Sequence, residues 1–176
     1  PGVQVSVTLR RYHDWMEPTA QPASRAVTPS AGLGPGAVAA GWLGLLPFAL
    51  ALACVALGPT PDWRHFGLEL ALVWGAVILS FVAAVHWGLA LAGFWRWEIT
   101  IVIGSVLPSV WAAAALLLGG SRGLALLLAG FGSFWLYESR RVGDGLPPDY
   151  LALRRQLSIV VCALLALTVL ASEPVR

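Results

Sequence analysis

The chain is polar for roughly its first 35 residues and then almost continuously apolar. Five long hydrophobic runs follow, at about 36–57, 67–93, 99–118, 120–137 and 150–171, separated by short polar breaks. A helix rises about 1.5 Å per residue and must cross roughly 30 Å of hydrocarbon, so about 20 residues suffice. Four runs meet that length. The fourth is the shortest and is flanked by Arg122 and Glu138. None shows the alternating period of an outer-membrane strand, and a helix satisfies its own backbone hydrogen bonds in lipid. The expected fold is all-α, a polytopic membrane bundle of about five transmembrane helices over residues 36–172. A flexible polar tail at 1–35, containing Pro18, Pro22, Pro29 and Pro35, precedes it. The first apolar run starts too late for a secretory signal, and the absence of an initiating Met reads as a trimmed N-terminus.

Five spans place Arg10, Arg11, Arg25, Arg96, Arg140, Arg141, Arg154 and Arg155 on one side and Arg64, Arg122 and Arg176 on the other. The positive-inside rule then predicts a cytoplasmic N-terminus and an external C-terminus. Trp95, Trp97, Trp135, Tyr137 and Tyr150 fall near the expected inner interface, where amphipathic rings prefer to lie, and Trp63 falls in an outer loop. Trp74 and Trp111 fall deeper, as packing or lipid-facing residues.

Composition agrees. Residues are 58% hydrophobic and 11% charged, against about a quarter charged in soluble domains. A net charge of +2, with no basic stripe interleaved with aromatics, gives no basis for nucleic-acid binding. The cations are all arginine, and Lys and Asn are absent, a pattern expected of a GC-rich bacterial genome. Cys54 and Cys162 lie inside apolar runs and read as small buried residues rather than a disulfide.

Within the second run Ala76, Ser80, Ala84, Gly88 and Ala92 recur every four residues. Such a strip lets helices approach closely in lipid, and it is expected to meet Gly36, Ala40 and Gly44 of the first run. His86 is the only histidine within a run and points away from that strip, toward the face of Gly75, Leu79 and Val82. An intramembrane ionisable group is a functional candidate. The competing reading is a neutral imidazole hydrogen-bonded inside the bundle. Haem would require a second axial ligand and a metal more donors, so no metal or cofactor is expected. Pro47 and Pro108 should kink their helices, with Ser105 and Ser109 placed to satisfy the freed carbonyls. Arg140, Arg141, Arg154 and Arg155 read as interfacial basic residues that contact anionic headgroups. The sequence contains no G-x-S-x-G, no H-E-x-x-H and no P-loop, which argues against an enzyme.

LGLLPF at 43–48, GAVILSFVAAVHWGLAL at 75–91, GSVLPSVW at 104–111 and LPPDYLALRRQL at 146–157 together resemble one family. It comprises small bacterial and mitochondrial membrane proteins similar to transmembrane protein 69, carrying a domain of unknown function. The resemblance covers about 40–170, and its most specific piece is I-L-S-F-x-x-x-x-H-W-G at 78–88. Ser80, Phe81, His86, Trp87 and Gly88 fall on this motif, which makes Ser80, His86 and Trp87 the candidate functional residues within the membrane. The resemblance implies a five-helix inner-membrane protein, bacterial or mitochondrial, and leaves its activity open. The expected role is non-enzymatic, binding membrane lipid, a membrane-protein partner or a second copy. The alternative is a small transporter or channel built on His86 and the Pro108 kink.

Overall fold

A computed structural model describes residues 33–93, 96, 98–141 and 147–172, with the side chain of Arg141 outside that set. Most of the tail at 1–35, the interfacial Trp95 and Trp97, and residues 142–146 lie outside the described residues. All described regular structure is helical: α1 (Pro35–Leu43), α2 (Leu46–Leu57), α3 (Pro61–Leu91), α4 (Ile99–Leu118), α5 (Gly120–Arg141) and α6 (Pro148–Ser172). Four spans are long and apolar enough to cross a membrane: the α1–α2 pair, α3, α4 and α6.

Local chemistry sets the boundaries. Pro35, Pro61 and Pro148 each open a helix in its first turn, where proline's missing N–H would be unpaired anyway. Asp62 and Asp149 in the first turns of α3 and α6 complement the positive helix ends. With this support α3 starts six residues before its apolar run. The expected kink at Pro47 is a break. Its ring crowds the carbonyl of Leu43 and offers that carbonyl no N–H, so α1 ends at Leu43 and α2 restarts at Leu46. At the break, Trp74 Nε1 donates to the Gly44 carbonyl at 2.9 Å. By contrast α4 runs continuously through Pro108. Ser105 Oγ donates to Val102 O at 3.0 Å, rather than to the Gly104 carbonyl that Pro108 leaves without its usual donor.

The packing closes a ring, α2 to α3 to α4 to α5 to α6 and back to α2, with α3 and α5 also touching across it. Gly119 (φ 63°) and Gly120 (φ 51°) make the reversal from α4 to α5 in the left-handed region, where a Cβ is disfavoured. From there α5 returns along the whole of α4. Trp111 Nε1 donates to Leu126 O at 2.7 Å, and Tyr137 OH donates to Thr100 O at 2.9 Å near the start of α4. One end of the bundle gathers the starts of α3 and α5 with the end of α6: Arg64 Nη2 donates to Ala171 O, and the Ser121 and Ser172 hydroxyls are 2.9 Å apart. The other end gathers His86, Tyr137, Glu138 and Arg154.

The core joins Phe48, Leu79, Leu124, Leu127, Phe131 and Leu165, with Phe48 and Phe131 edge to face at 6.5 Å. The small residues of α3 that admit its neighbours are Gly67, Ala71, Gly75 and Ala83, all buried. A Cβ at Gly67 would lie 2.7 Å from the Ala51 carbonyl oxygen of α2, and one at Gly75 would lie 2.8 Å from Leu127 of α5. The expected strip is therefore displaced by one residue, which rotates it about 100° around the helix. Of its members Ala76 is buried, but Ala84, Gly88 and Ala92 are exposed, and a Cβ at Gly88 would meet nothing within 4 Å. Gly36 and Ala40 are also exposed, so they make no close-packed seam with that strip within this chain.

This face assignment makes a simple comparison. Gly67→Ala must push backbone apart and should destabilise by about 1–3 kcal/mol. Gly88→Ala should be neutral or stabilise by up to ~1 kcal/mol through helix propensity. Thermal and denaturant unfolding in detergent read both, and equal losses would place the packed face elsewhere.

Candidate functional site

Three helices each bring one ionisable residue to the same buried point, and each does so by helical spacing. On α3, His86 extends the inward face of Gly75, Leu79 and Ala83. On α5, Leu124, Leu127, Phe131, Phe134 and Glu138 are all buried at steps of three and four residues. On α6, Arg154 heads a buried row continuing through Ser158, Val161, Leu165 and Thr168.

Glu138 is the centre. Arg154 Nε donates to its Oε2 at 3.0 Å. His86 Nε2 lies 3.7 Å from its Oε1. The relative exposures are 1% for His86, 2% for Glu138 and 9% for Arg154, so water screens none of these contacts effectively. Among the described residues, Glu138 Oε1 accepts no hydrogen bond within 3.5 Å, although its neighbour Oε2 does. The His86 ring is also in electrostatic contact with the Ala83 backbone one turn earlier.

Aromatic rings wall the cluster. Phe134 meets His86 edge-on at 5.3 Å, Tyr137 does so at 6.2 Å, and the Arg154 guanidinium lies over the Phe134 ring at 5.5 Å. A cation held over an aromatic face gains from the ring quadrupole, more so out of water. Gly104 of α4 makes room for this wall, since a Cβ there would lie 2.6 Å from the Tyr137 hydroxyl.

Among the described residues, three of the openings in the bundle border the site. An apolar groove of 410 Å³ runs between α1, α2, α3 and α6 over Phe131, with Tyr150, Arg154 and Ser158 its polar positions. A second opening of 410 Å³, between α5 and α6, is lined by Trp135, Glu138, Ser139, Arg154 and Arg155 among others. A third, of 260 Å³, lies between Pro108, Trp111, Phe134 and Tyr137. Arg154 lines both of the first two openings, and Glu138 lines the second. His86 and Glu138 are two donors at most for a metal, and no set of three His, Cys, Asp or Glu gathers among the described residues.

Of the expected site residues, only His86 and Arg154 meet here. Ser80 is half-buried and Trp87 is 41% exposed, on other faces of α3. Arg140 and Arg155 are exposed, and the Arg141 side chain is outside the described residues. Arg154 is corrected: it is buried and paired with a carboxylate, because the α6 register turns it inward with Ser158 and Val161. Glu138 was expected merely to flank the fourth run. The three-and-four spacing back to Leu124 was the signal, and it required extending α5 past Tyr137 to Arg141.

The fold and site define a polytopic helical membrane protein with an ion cluster inside its bundle. Residues 34–170 match the family described as Protein of unknown function (DUF3429), and the chain belongs to that family. The match covers all three residues of the cluster. No curated protein and no solved structure is similar enough to match.

The cluster's energetics predict an asymmetry. Glu138→Ala leaves Arg154 buried without a counter-charge and should lower stability by about 3–5 kcal/mol, whereas Glu138→Leu combined with Arg154→Leu should be close to neutral. Unfolding in mild detergent measures both. Equal costs for the single and double variants would mean the pair does not form in the folded protein.

Proposed function

We propose that this protein is a non-enzymatic inner-membrane protein that holds a membrane amphiphile in the groove between α1, α2, α3 and α6. The observation that carries this reading is the groove's chemistry. Its wall is apolar from α1 across to α6, and its polar positions are Tyr150, Arg154 and Ser158. From Tyr150 to Val161 the α6 wall rises about 16 Å, the scale of an acyl or polyprenyl chain. Pockets of this kind, apolar with few placed polar groups, suit such ligands. Likeness to transmembrane protein 69 and the all-arginine composition support a bacterial inner membrane, or the mitochondrial one in a eukaryote. A membrane-protein partner or a second copy on the exposed Ala84–Gly88 face is compatible with this role, and nucleic acid is not.

The N-in, C-out orientation belongs to the same proposal. Its support is that α5 retraces α4 end to end, so that both cross if either does, and that Arg140, Arg154 and Arg155 lie at the end opposite Arg64. A reporter joined after residue 176 should be active only on the external side. Activity on the cytoplasmic side contradicts the orientation.

The second reading is a small transporter or channel. It is favoured by the His86–Glu138 contact and by Phe134 and Tyr137, which wall both His86 and the opening at Pro108. Purification in polymer-bounded bilayer discs, followed by native mass spectrometry and lipid extraction, separates the two. The amphiphile-binding reading predicts one retained amphiphile per chain, lost on narrowing the groove with Ala40→Trp or Val82→Trp while the melting temperature is kept. Solute flux in proteoliposomes with no retained amphiphile would instead support transport.

A further inference from the structure

We propose that Glu138 and His86 form a proton-binding site inside the bundle, fed by water from the pocket between α5 and α6. The inference is independent of the amphiphile groove, which neither Glu138 nor His86 lines.

The charge balance around Glu138 motivates it. Arg154 neutralises the carboxylate through Oε2, and Oε1 faces His86 Nε2 across 3.7 Å, slightly beyond hydrogen-bond reach. With His86 neutral the cluster has no net charge. When the neutral ring carries its hydrogen on Nδ1, one added proton, held at His86 Nε2 or Glu138 Oε1, gives Glu138 Oε1 the donor that it lacks. The two then share a charge-assisted hydrogen bond, and each carboxylate oxygen faces one donor. The proton is delivered by hydronium, whose O–H bond breaks as the new bond forms and which leaves as water. A buried acceptor without a donor costs about 1–3 kcal/mol, and proton uptake removes that cost.

The surroundings favour a proton over a larger cation. The ligand space is the gap between two side chains, closed by the Phe134 and Tyr137 rings, and the Arg154 guanidinium repels a metal ion. Among the described residues the titratable and charged groups around Glu138 are these, with Arg155 across the opening between α5 and α6. From α3 comes His86, from α6 come Arg154 and Tyr150, and on α5 itself Tyr137 stands one position away. Residues 99–118 of α4 contain no titratable side chain. Histidine alone of these side chains ordinarily changes charge near neutral pH. Glu138 lines the opening between α5 and α6 with Ser139 and Arg155, whereas His86 lines none of the three openings described above. Protons therefore enter through Glu138 and reach His86 second.

The test follows His86 in the full chain, labelled with nitrogen-15 histidine and reconstituted in bilayer discs, with its signal assigned by loss in His86→Gln. Ring nitrogen shifts across about pH 5 to pH 8 should show His86 gaining a proton. In Glu138→Gln the midpoint should fall by at least about one pH unit, a tenfold loss of proton affinity. Because that variant leaves Arg154 unpaired, Glu138→Gln/Arg154→Gln is compared with Arg154→Gln alone, so that only the carboxylate differs, and the same fall is expected. Filling the pocket with Ala152→Trp should slow proton exchange at His86 while leaving the midpoint in place. A His86 that keeps one protonation state throughout, or the same midpoint without Glu138, overturns the site. Unchanged exchange in Ala152→Trp overturns the route.

Discussion

A carboxylate buried in a membrane bundle cannot stand without a partner, and the three-helix meeting at Glu138 follows from that constraint. Removing an ion from water costs several kcal/mol even after relaxation. Arg154 offsets that cost from α6 and His86 faces the remaining oxygen from α3. The contact ties the long hub helix α3 to the pair α5–α6, at the end of the bundle where apolar packing gives way to polar loops. It also fixes rotation. A turn of α5 by one residue would move Glu138 about 100° away and leave Arg154 buried alone.

The rest of the bundle supports that register with small residues and shape. Gly67 and Gly75 bring α2 and α5 against α3, Gly104 clears space for Tyr137, and Gly130 lies under Trp111. In lipid the hydrophobic effect gives helices no reason to associate, so close packing and hydrogen bonds carry the work. The indole N–H groups of Trp74 and Trp111 are used in this way, each on a carbonyl of a neighbouring segment. Arg64 does the same at the opposite end, on the final turn of α6.

The helices and their order were legible because apolar length is a strong signal in membrane proteins, and so was the face that His86 shares with Gly75 and Leu79, though not that this face is the packed one. Two things were not. The small-residue strip of α3 exists in two registers, since Ala and Gly recur at four-residue spacing both from Gly67 and from Ala76. Only the neighbours' shapes choose between them. Glu138 and Arg154 lie near helix ends among other arginines, where charges ordinarily meet headgroups or water. Their burial depends on α5 running to Arg141 and on a partner 16 positions away on another helix. Each had a local trace in its helical spacing, but neither trace named the other residue.

What matters most is whether Glu138 holds both partners at once in a bilayer. Dipolar-recoupling solid-state NMR on protein carrying carbon-13 glutamate with nitrogen-15 arginine and histidine measures this directly. The account predicts strong coupling from the Glu138 carboxyl carbon to the Arg154 side-chain nitrogen and a weaker one to His86 Nε2, in keeping with oxygen contacts of 3.0 Å and 3.7 Å. A Glu138 carboxyl with no coupling to either nitrogen would contradict it.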